Sequence, residues 1–378
     1  MNEYQKVIRG RESLRKLPDL IEKLGIHKPL IVGMEPLTGI LLKKNPCLLS
    51  TPVFSDFHPN PDLSDTEKGA ELYLQNECDG LISIGGGSSI DTAKAIKARL
   101  CSDSEENLIS SNLTCKRICP HIAVPGTAGT GSEATQIAVV YIHDKKISLN
   151  HMELKPEGVL LDSSLLDSLP IYHKKSCALD ALAQGIESFW SKGSNDESRV
   201  HAYLAIIGVL DNLKEYLQGD SHAADEMLDA SFQSGKAIQI TRTTAAHAMS
   251  YMLTKKLGLA HGHACMLTLP VLWEMMLNHE DMQQTLNDLS TMIRLGDPQL
   301  VPRLLKGILY DLKMDIPTVP DDKTLDELSE SVNIERLNNH PVSLSKEEIR
   351  SVYRKAMTPM CENEKQACID IWRYYGRG

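Results

Sequence analysis

The feature that most limits what this chain of 378 residues can fold into is a change of period near residue 165. Upstream, short β-prone runs alternate with helical patterns: "PLIVGM", "PVFSDF", the amphipathic "DTEKGAELYLQNE", "GLISIGGG", "IDTAKAIKARL" and "HIAVPGT". Strands joined through helices pair in parallel, and the connecting helices cover the faces of the sheet. The order breaks at "IAVVYIHDKKISLNH", where two β-prone runs flank "HDKK" and predict an antiparallel hairpin, and a last short strand, "GVLLD", follows. Beyond residue 165 the β signal gives way to long helical patterns such as "CALDALAQGIESFWS", "RVHAYLAIIGVLDNLKEYL" and "TTAAHAMSYMLTKKL". The expectation is an α/β domain with a parallel sheet over residues 1–164 and an all-helical domain over 165–378. Residues 315–345, rich in Pro, Asp and Asn, read as a loop-heavy connection, and the tail "CENEKQACIDIWRYYGRG" as a docking helix.

A hydrophobic content of 42% supports a sizeable core, and the length suits two domains. No apolar run approaches the roughly 20 residues that span a bilayer. The start, "MNEYQKVIRGRESLRKL", is charged throughout and does not read as a secretory signal, so a cytoplasmic protein is expected. Nine scattered cysteines argue against a disulfide framework and for a reducing compartment, and Cys115 and Cys119, the closest pair, read as buried or surface thiols rather than a zinc motif. A net charge of −10 disfavours nucleic acid or an anionic membrane as the partner.

Two stretches of the first domain suit a dinucleotide. In "LISIGGGSSIDTAKA" a strand runs into Gly85, Gly86 and Gly87 and then a helix, so the backbone can turn tightly while the helix N-terminus offers free N–H groups to a pyrophosphate. The pattern is neither G-x-G-x-x-G nor a P-loop, and alone it fits a structural turn equally well. "PGTAGTGSEAT" adds Thr127, Thr130 and Ser132 directly after the strand "HIAV", at the carboxyl end of a parallel strand where open α/β sheets bind ligands.

In the helical half, Asp180 and Gln184 lie four apart on one helix face, as do His247 and Tyr251. His261 follows Gly258, which can end the helix and let the chain turn back. A carboxylate with imidazoles on facing helices is a ligand set that zinc or ferrous iron accepts, although a lone histidine on an apolar helix face is more often a core residue.

The motifs "GGGSSIDTAKA", "PGTAGTGSEAT", "ALDALAQGIESFWS", "HAMSYMLTKKLGLAHGHA" and "NNHPVSLSKEEIRSVYRKA" together resemble, in order and spacing, the iron-containing (group III) metal-dependent alcohol dehydrogenases. The resemblance covers nearly the whole chain. It implies the dehydroquinate synthase-like, group III alcohol dehydrogenase architecture: an N-terminal nucleotide-binding α/β domain, an all-α domain, and a cleft where a metal polarises the oxygen of an alcohol or aldehyde beside the nicotinamide. By position, Gly85, Gly86, Gly87, Ser88 and Asp91 match the pyrophosphate turn, Thr127, Thr130 and Ser132 the second cofactor loop, and Lys146 a lysine that contacts the ribose. Asp180, His247 and His261 fall on metal-ligand positions. Relatives commonly form homodimers.

Two departures bear on the chemistry. Four-ligand members have a histidine where Gln184 stands, so Gln184 is expected as a weak fourth ligand or as a group behind the ligands, with iron and zinc both open. Tyr251 stands where iron-dependent members often have a histidine for proton transfer, and His263 is either its substitute or a bystander. Met34 occupies the place where many NAD-preferring relatives carry an aspartate, and Glu35 beside it could bond the ribose, so NAD and NADP both remain open. "FWSKGSNDESR", "HAMSY" and "HGHA" look closer to a subgroup that includes phosphonoacetaldehyde reductases and a 3-deoxy-octulosonate 8-oxidase. Arg242 could meet an anionic tail or pack as an ordinary helix arginine. The implied reaction is interconversion of a primary alcohol and a small polar or anionic aldehyde. Rival readings are a lyase of the dehydroquinate synthase type, and a nucleotide-binding relative that has lost activity.

Overall fold

The computed structural model describes residues 5–375, apart from Asn60, residues 116–118, Asp144, Pro320, Asn333 and the side chain of Glu335. The chain divides into two compact units, residues 1–169 with 218–235, and residues 170–217 with 236–378.

The first unit is built on a sheet of β1 (Lys6–Arg9), β2 (Pro29–Gly33), β3 (Val53–Phe54), β4 (Gly80–Gly85), β5 (His121–Pro125) and β8 (Gly158–Leu161) in the order β1-β8-β5-β4-β2-β3. Every pairing in it is parallel. The central strands are apolar on both faces because helices cover both. Ile31, Ile82, Ile84, Ile122 and Val124 pack with Leu17, Leu20 and Leu41 on one side, while Leu30, Val32 and Leu81 pack with Tyr73, Ala93 and Ile96 on the other. The edge strand β1, which local pattern does not announce, is held by β8 and by Asp162, whose carboxylate accepts from the backbone N–H of Glu12 and Leu14.

The expected hairpin forms from β6 (Ile137–Ile142) and β7 (Lys145–Asn150), antiparallel from the pair Ile137 and Asn150 to the pair Ile142 and Lys145. Ala138, Val140, Ile142 and Leu149 pack it against Ala95 and Ala98 of the helix Gly87–Leu100. In the helix Ser221–Thr241, Asp229 pairs with Arg9 at 2.8 Å, Phe232 lies under the Arg9 guanidinium, and Gly235 abuts Gly131 so closely that a Cβ on Gly131 would sit 2.6 Å from the Gly235 nitrogen.

The second unit is helical. Its helices include Ile171–Trp190, Asp196–Leu217, Ala245–Leu257, His261–Met276, Val301–Asp311, Lys346–Ala356 and Glu362–Tyr374. The stretch read as a loop-heavy connection is more ordered than its composition implies. It contains the helices Asp322–Glu330 and Ile334–Asn338, the first started by the Asp321 carboxylate accepting from the Thr324 N–H at 2.7 Å and anchored by buried Leu325 and Leu328. The cysteine reading is corrected at one point: Cys101 and Cys115 form a disulfide, because Cys115 is brought back beside the end of the helix Gly87–Leu100, and the other seven cysteines form no disulfide.

Candidate active site

In the first unit, β4 ends at Gly85 with φ +143, a conformation that side chains rarely tolerate. The Gly126 N–H donates to the Gly85 carbonyl at 2.7 Å, tying the ends of β4 and β5 together. A Cβ on Gly87 would lie 2.9 Å from the Thr130 side chain and one on Gly86 3.3 Å from Thr127, so the two small-residue loops nest against each other. No side chain caps the helix Gly87–Leu100. The helix N-terminus follows directly on the end of β4, with the Ser89 and Ile90 N–H groups donating to the Gly86 carbonyl, and a glycine-rich strand end running into a helix is the arrangement that receives a pyrophosphate. That cradle, open only because its residues lack side chains, fits the expected dinucleotide.

Asp91 and Ser132 have an internal duty. The Asp91 carboxylate accepts from Ser132 Oγ at 2.6 Å and from the Val139 N–H at 3.0 Å, linking the helix, the second loop and the hairpin. Beneath them the buried Lys94 ammonium donates to Ser132 O and Oγ, Thr135 Oγ1 and Ile137 O at 2.6–3.0 Å. Burial lowers its pKa to about 8 against the pull of Asp91 and Glu133. Lys146, half-buried on β7, bears electrostatically on Asp91. Met34 packs partly into the core beside the end of β2, and the Glu35 carboxylate accepts from Thr38 Oγ1 at 2.8 Å and from the Gly39 N–H at 3.2 Å.

In the second unit the structure brings Asp180, His247 and His261 together, and adds Cys265. One ligand atom of each lies within 4.8 Å of every other. The helix His261–Met276 crosses the helix Ile171–Trp190 at Gly262, where a Cβ would stand 2.6 Å from the Asp180 nitrogen, so only glycine lets His261 approach Asp180. Asp180 Oδ1 is 3.2 Å from His247 Nε2 and 3.9 Å from His261 Nε2. Gly258, at φ +68, ends the helix Ala245–Leu257 as expected and lets the chain return.

The opposite nitrogen of each imidazole is engaged. His247 Nδ1 pairs with the fully buried Glu187, which also accepts from Thr244 Oγ1 at 2.6 Å and the Ala246 N–H at 2.8 Å, capping the helix that carries His247. Ser250 Oγ donates to the His247 carbonyl at 2.9 Å and so receives the His261 Nδ1–H at 3.2 Å. In the neutral imidazoles this places the proton on Nδ1 and leaves the Nε2 lone pair toward Asp180, the tautomer that metal-ligating histidines adopt, while protonated His247 donates from Nε2 to Asp180 Oδ1 at 3.2 Å. This donor set fits a divalent transition-metal ion. Without an ion the charges couple strongly. Burial opposes ionisation of Asp180 and Glu187, but the facing histidines outweigh it and hold both carboxyls below their ordinary values. His247, despite burial, is raised well above its ordinary value by Cys265, Glu187 and Asp180.

The remaining predicted residues fall around this centre. Gln184 is buried one turn beyond Asp180 on the same helix. The Tyr251 ring stacks on His261 at 5.9 Å and 5°, with the Arg336 guanidinium 5.6 Å from its centroid. His263 instead puts Nδ1 3.1 Å from the Tyr172 hydroxyl, and its backbone N–H donates to Ser176 Oγ. Arg242 ends the helix Ser221–Thr241 in a left-handed conformation, φ +64. Sequence reasoning missed Glu187, Ser250, Cys265 and Arg336. The first three did carry a signal: Glu187 lies seven after Asp180, Ser250 three after His247 and Cys265 four after His261, each on its ligand's helix face. The other His–carboxylate group among the described residues, His58, Asp62 and Asp65, is occupied in starting the helix Leu63–Gln75.

A parallel sheet with a glycine cradle at its strand ends, and a separate helical unit with a partly buried Asp–His–His ligand set, define the class: a two-unit α/β and all-α metal-binding, nucleotide-binding fold. The chain belongs to the iron-containing alcohol dehydrogenase family. The profile described as "Iron-containing alcohol dehydrogenase" matches residues 5–163, and that of the "Fe-containing alcohol dehydrogenase family, C-terminal" matches residues 175–357. The chain is 34% identical over 226 residues to a phosphonoacetaldehyde reductase of Streptomyces viridochromogenes, an alignment spanning 56% of this chain and 57% of that protein. It is 29% identical to the NAD-dependent methanol dehydrogenase of Bacillus methanolicus over 67% of this chain and 69% of that one. Among solved structures, sulfoacetaldehyde reductase from Bifidobacterium kashiwanohense in complex with NAD+ superposes with a TM-score of 0.86 at 26% identity, covering 94% of this chain and 98% of that chain.

Proposed function

We propose that the protein is a metal-dependent oxidoreductase that interconverts a primary alcohol and a small, anionic aldehyde with a nicotinamide dinucleotide. The observation that carries this reading is the convergence of Asp180, His247 and His261 with both imidazoles held in the metal-binding tautomer. When bound, the divalent ion supplies Lewis-acid polarisation of the substrate oxygen and the nicotinamide supplies or accepts the hydride. Asp180, His247 and His261 would hold the ion, and the glycine cradle at residues 85–87 with Ser88, Thr127 and Thr130 would hold the dinucleotide. NAD is favoured, because the similar methanol dehydrogenase is NAD-dependent by name and the sulfoacetaldehyde reductase structure is a complex with NAD+.

Proton delivery falls to Tyr251 rather than His263. Tyr251 lies flat against the ligand His261, whereas His263 is turned to Tyr172. Burial raises the Tyr251 pKa against the opposing effect of Arg336, so the phenol stays protonated and acts as a donor to the nascent alcohol oxygen. Arg336 supplies positive charge beside the ligands, and Arg242, just past the helix Ser221–Thr241, is the second candidate for a substrate contact. Arg336 donates to Thr243 Oγ1 and bears electrostatically on Asp180, and an anionic substrate tail is the natural counterion. Two similar proteins are named for phosphono- and sulfo-bearing aldehydes, which agrees with that charge.

The rival lyase reading requires no net oxidation of cofactor, and the degenerate reading requires none with any substrate. The test is oxidation of NADH and NADPH by the zinc- or iron-loaded chain over neutral, phosphono- and sulfo-aldehydes. Loss of one arginine charge (Arg336→Gln or Arg242→Ala) is expected to raise KM for the anionic aldehydes on the order of 10-fold and leave neutral ones unchanged. Unchanged KM values in both variants would refute the anionic-tail assignment, and absence of turnover with every aldehyde would refute the oxidoreductase reading. A cytoplasmic homodimer is the accompanying proposal. Seven of the nine cysteines form no disulfide, which suits a reducing compartment, while the Cys101–Cys115 pair counts against one, and among the described residues no helix is long and apolar enough to cross a membrane.

A further inference from the structure

We propose that Cys265 is the fourth protein ligand, binding the ion as a thiolate and giving the site a preference for zinc over iron; the inference rests on the metal-dependent reading above. Cys265 lies one helical turn after His261 on the helix His261–Met276 and is fully buried, so its sulfur faces the same side as the His261 imidazole. It belongs to the ligand group with Asp180, His247 and His261, and Sγ is 4.0 Å from His261 Nε2.

The distances match what a small tetrahedral ion requires. With Zn–S about 2.3 Å and Zn–N or Zn–O about 2.1 Å, the edges of a tetrahedron are about 3.4 Å between nitrogen and oxygen and about 3.6 Å between sulfur and nitrogen. Three of the six edges are 3.2 and 3.9 Å from Asp180 Oδ1 to the two imidazoles and 4.0 Å from the sulfur to His261, and the other three are within 4.8 Å, so shifts of at most about 1.2 Å bring the four atoms to tetrahedral spacing.

The chemistry is complementary too. Gln184 offers a neutral amide oxygen, a weak donor, whereas a thiolate is a soft anionic donor that zinc favours over the harder ferrous ion. Binding forms one S–metal bond, and the thiol proton leaves to solvent or buffer, with no change of oxidation state. Asp180 and Cys265 then supply two negative charges against the dication, and the substrate oxygen would add as a fifth ligand, an expansion that zinc accommodates.

The experiment uses the full chain stripped by chelator and reloaded with Zn2+ or, as a spectroscopic probe, Co2+. Zinc-edge X-ray absorption of the wild type is expected to show one sulfur scatterer at about 2.3 Å. The Co2+ form is expected to show a thiolate-to-metal charge-transfer band in the near ultraviolet that is absent from Cys265→Ser. In competition between Zn2+ and Fe2+ without oxygen, the serine variant is expected to lower the zinc-to-iron occupancy ratio by about 10-fold. That comparison of variants is needed because nitrogen ligands alone already favour zinc over Fe2+. A wild-type site that binds the ion with only nitrogen and oxygen scatterers and no charge-transfer band overturns the thiolate assignment while leaving the metal reading intact. A wild type that takes up no ion overturns both. The absorption measurement needs no substitution, so a serine variant that fails to fold does not shield the proposal.

Discussion

Glu187 is the residue whose replacement tests the site most directly. Its carboxylate receives Thr244 Oγ1, the Ala246 N–H and His247 Nδ1. In Glu187→Gln the amide oxygen can keep Thr244 and Ala246, which leaves the NH2 group facing the His247 Nδ1–H, donor against donor. The imidazole relieves that clash by moving its proton to Nε2, which then points at Asp180 Oδ1, 3.2 Å away, as a donor. Metal affinity should fall by about 10- to 100-fold, the range for losing a partner that orients a ligating histidine. That is about 1.4 to 2.8 kcal/mol. Loss of a charge-assisted bond should lower the stability of the metal-free chain by about 1.5 to 3 kcal/mol. Glu187→Ala, which strands every one of those donors, should cost about 3 to 5 kcal/mol. The assay is zinc titration against a competing chelator, paired with urea unfolding of the stripped chain. A glutamine variant that binds zinc within about twofold of wild type would refute the claim that Glu187 sets the tautomer.

Three further outcomes are expected. Gly262→Ala should place a methyl 2.6 Å from the Asp180 nitrogen, forcing the crossing helices apart; urea midpoints should show a loss of about 1 to 3 kcal/mol, and zinc binding should weaken with it. The metal-free chain and the loaded chain should respond oppositely to pH. The raised His247 pKa contributes stability that is complete below its unfolded value of about 6.5 and fades as pH climbs through the folded one, while the lowered Asp180 and Glu187 values contribute above about pH 4 and are lost on acidification. Thermal melts of stripped protein should therefore peak between about pH 4.5 and 6.5, while zinc affinity keeps rising above 6.5 as Nε2 is freed of protons. Lys94→Met should leave the buried oxygens of Ser132, Thr135 and Ile137 without their donor and cost about 1 to 3 kcal/mol, read by unfolding, with weaker NADH fluorescence binding because the second loop loses its anchor.

Local pattern determined much of this protein. The alternation up to residue 165 was enough for a parallel sheet with helices on both faces, the "HDKK" turn for a hairpin, and Gly258 for a helix end, because each is a short-range demand of backbone geometry or of a period of two against 3.6 residues. The candidate ligands Asp180, His247 and His261 were legible as residue types at helical spacing, and five motifs in order made the family resemblance. Other features were decided by packing at long range. β1 becomes a strand because β8 lies beside it, and residues 218–235 join the first unit through Arg9, Gly131 and their partners, none of which is near in sequence. Cys101 and Cys115 pair because the chain returns to the same place.

The site shows the same division. Glu187 and His247 are separated by 60 residues, and no periodicity relates them; only the meeting of two helices makes one side chain cap a helix, orient an imidazole and choose its tautomer. Cys265 is marked in the sequence only by lying four residues after His261, and the crossing at Gly262 makes its sulfur part of a ligand group. Residue type specifies which atoms can donate a lone pair. Whether those lone pairs point at one spot is a property of tertiary contacts, since it depends on helix axes and side-chain partners that one-dimensional spacing does not encode.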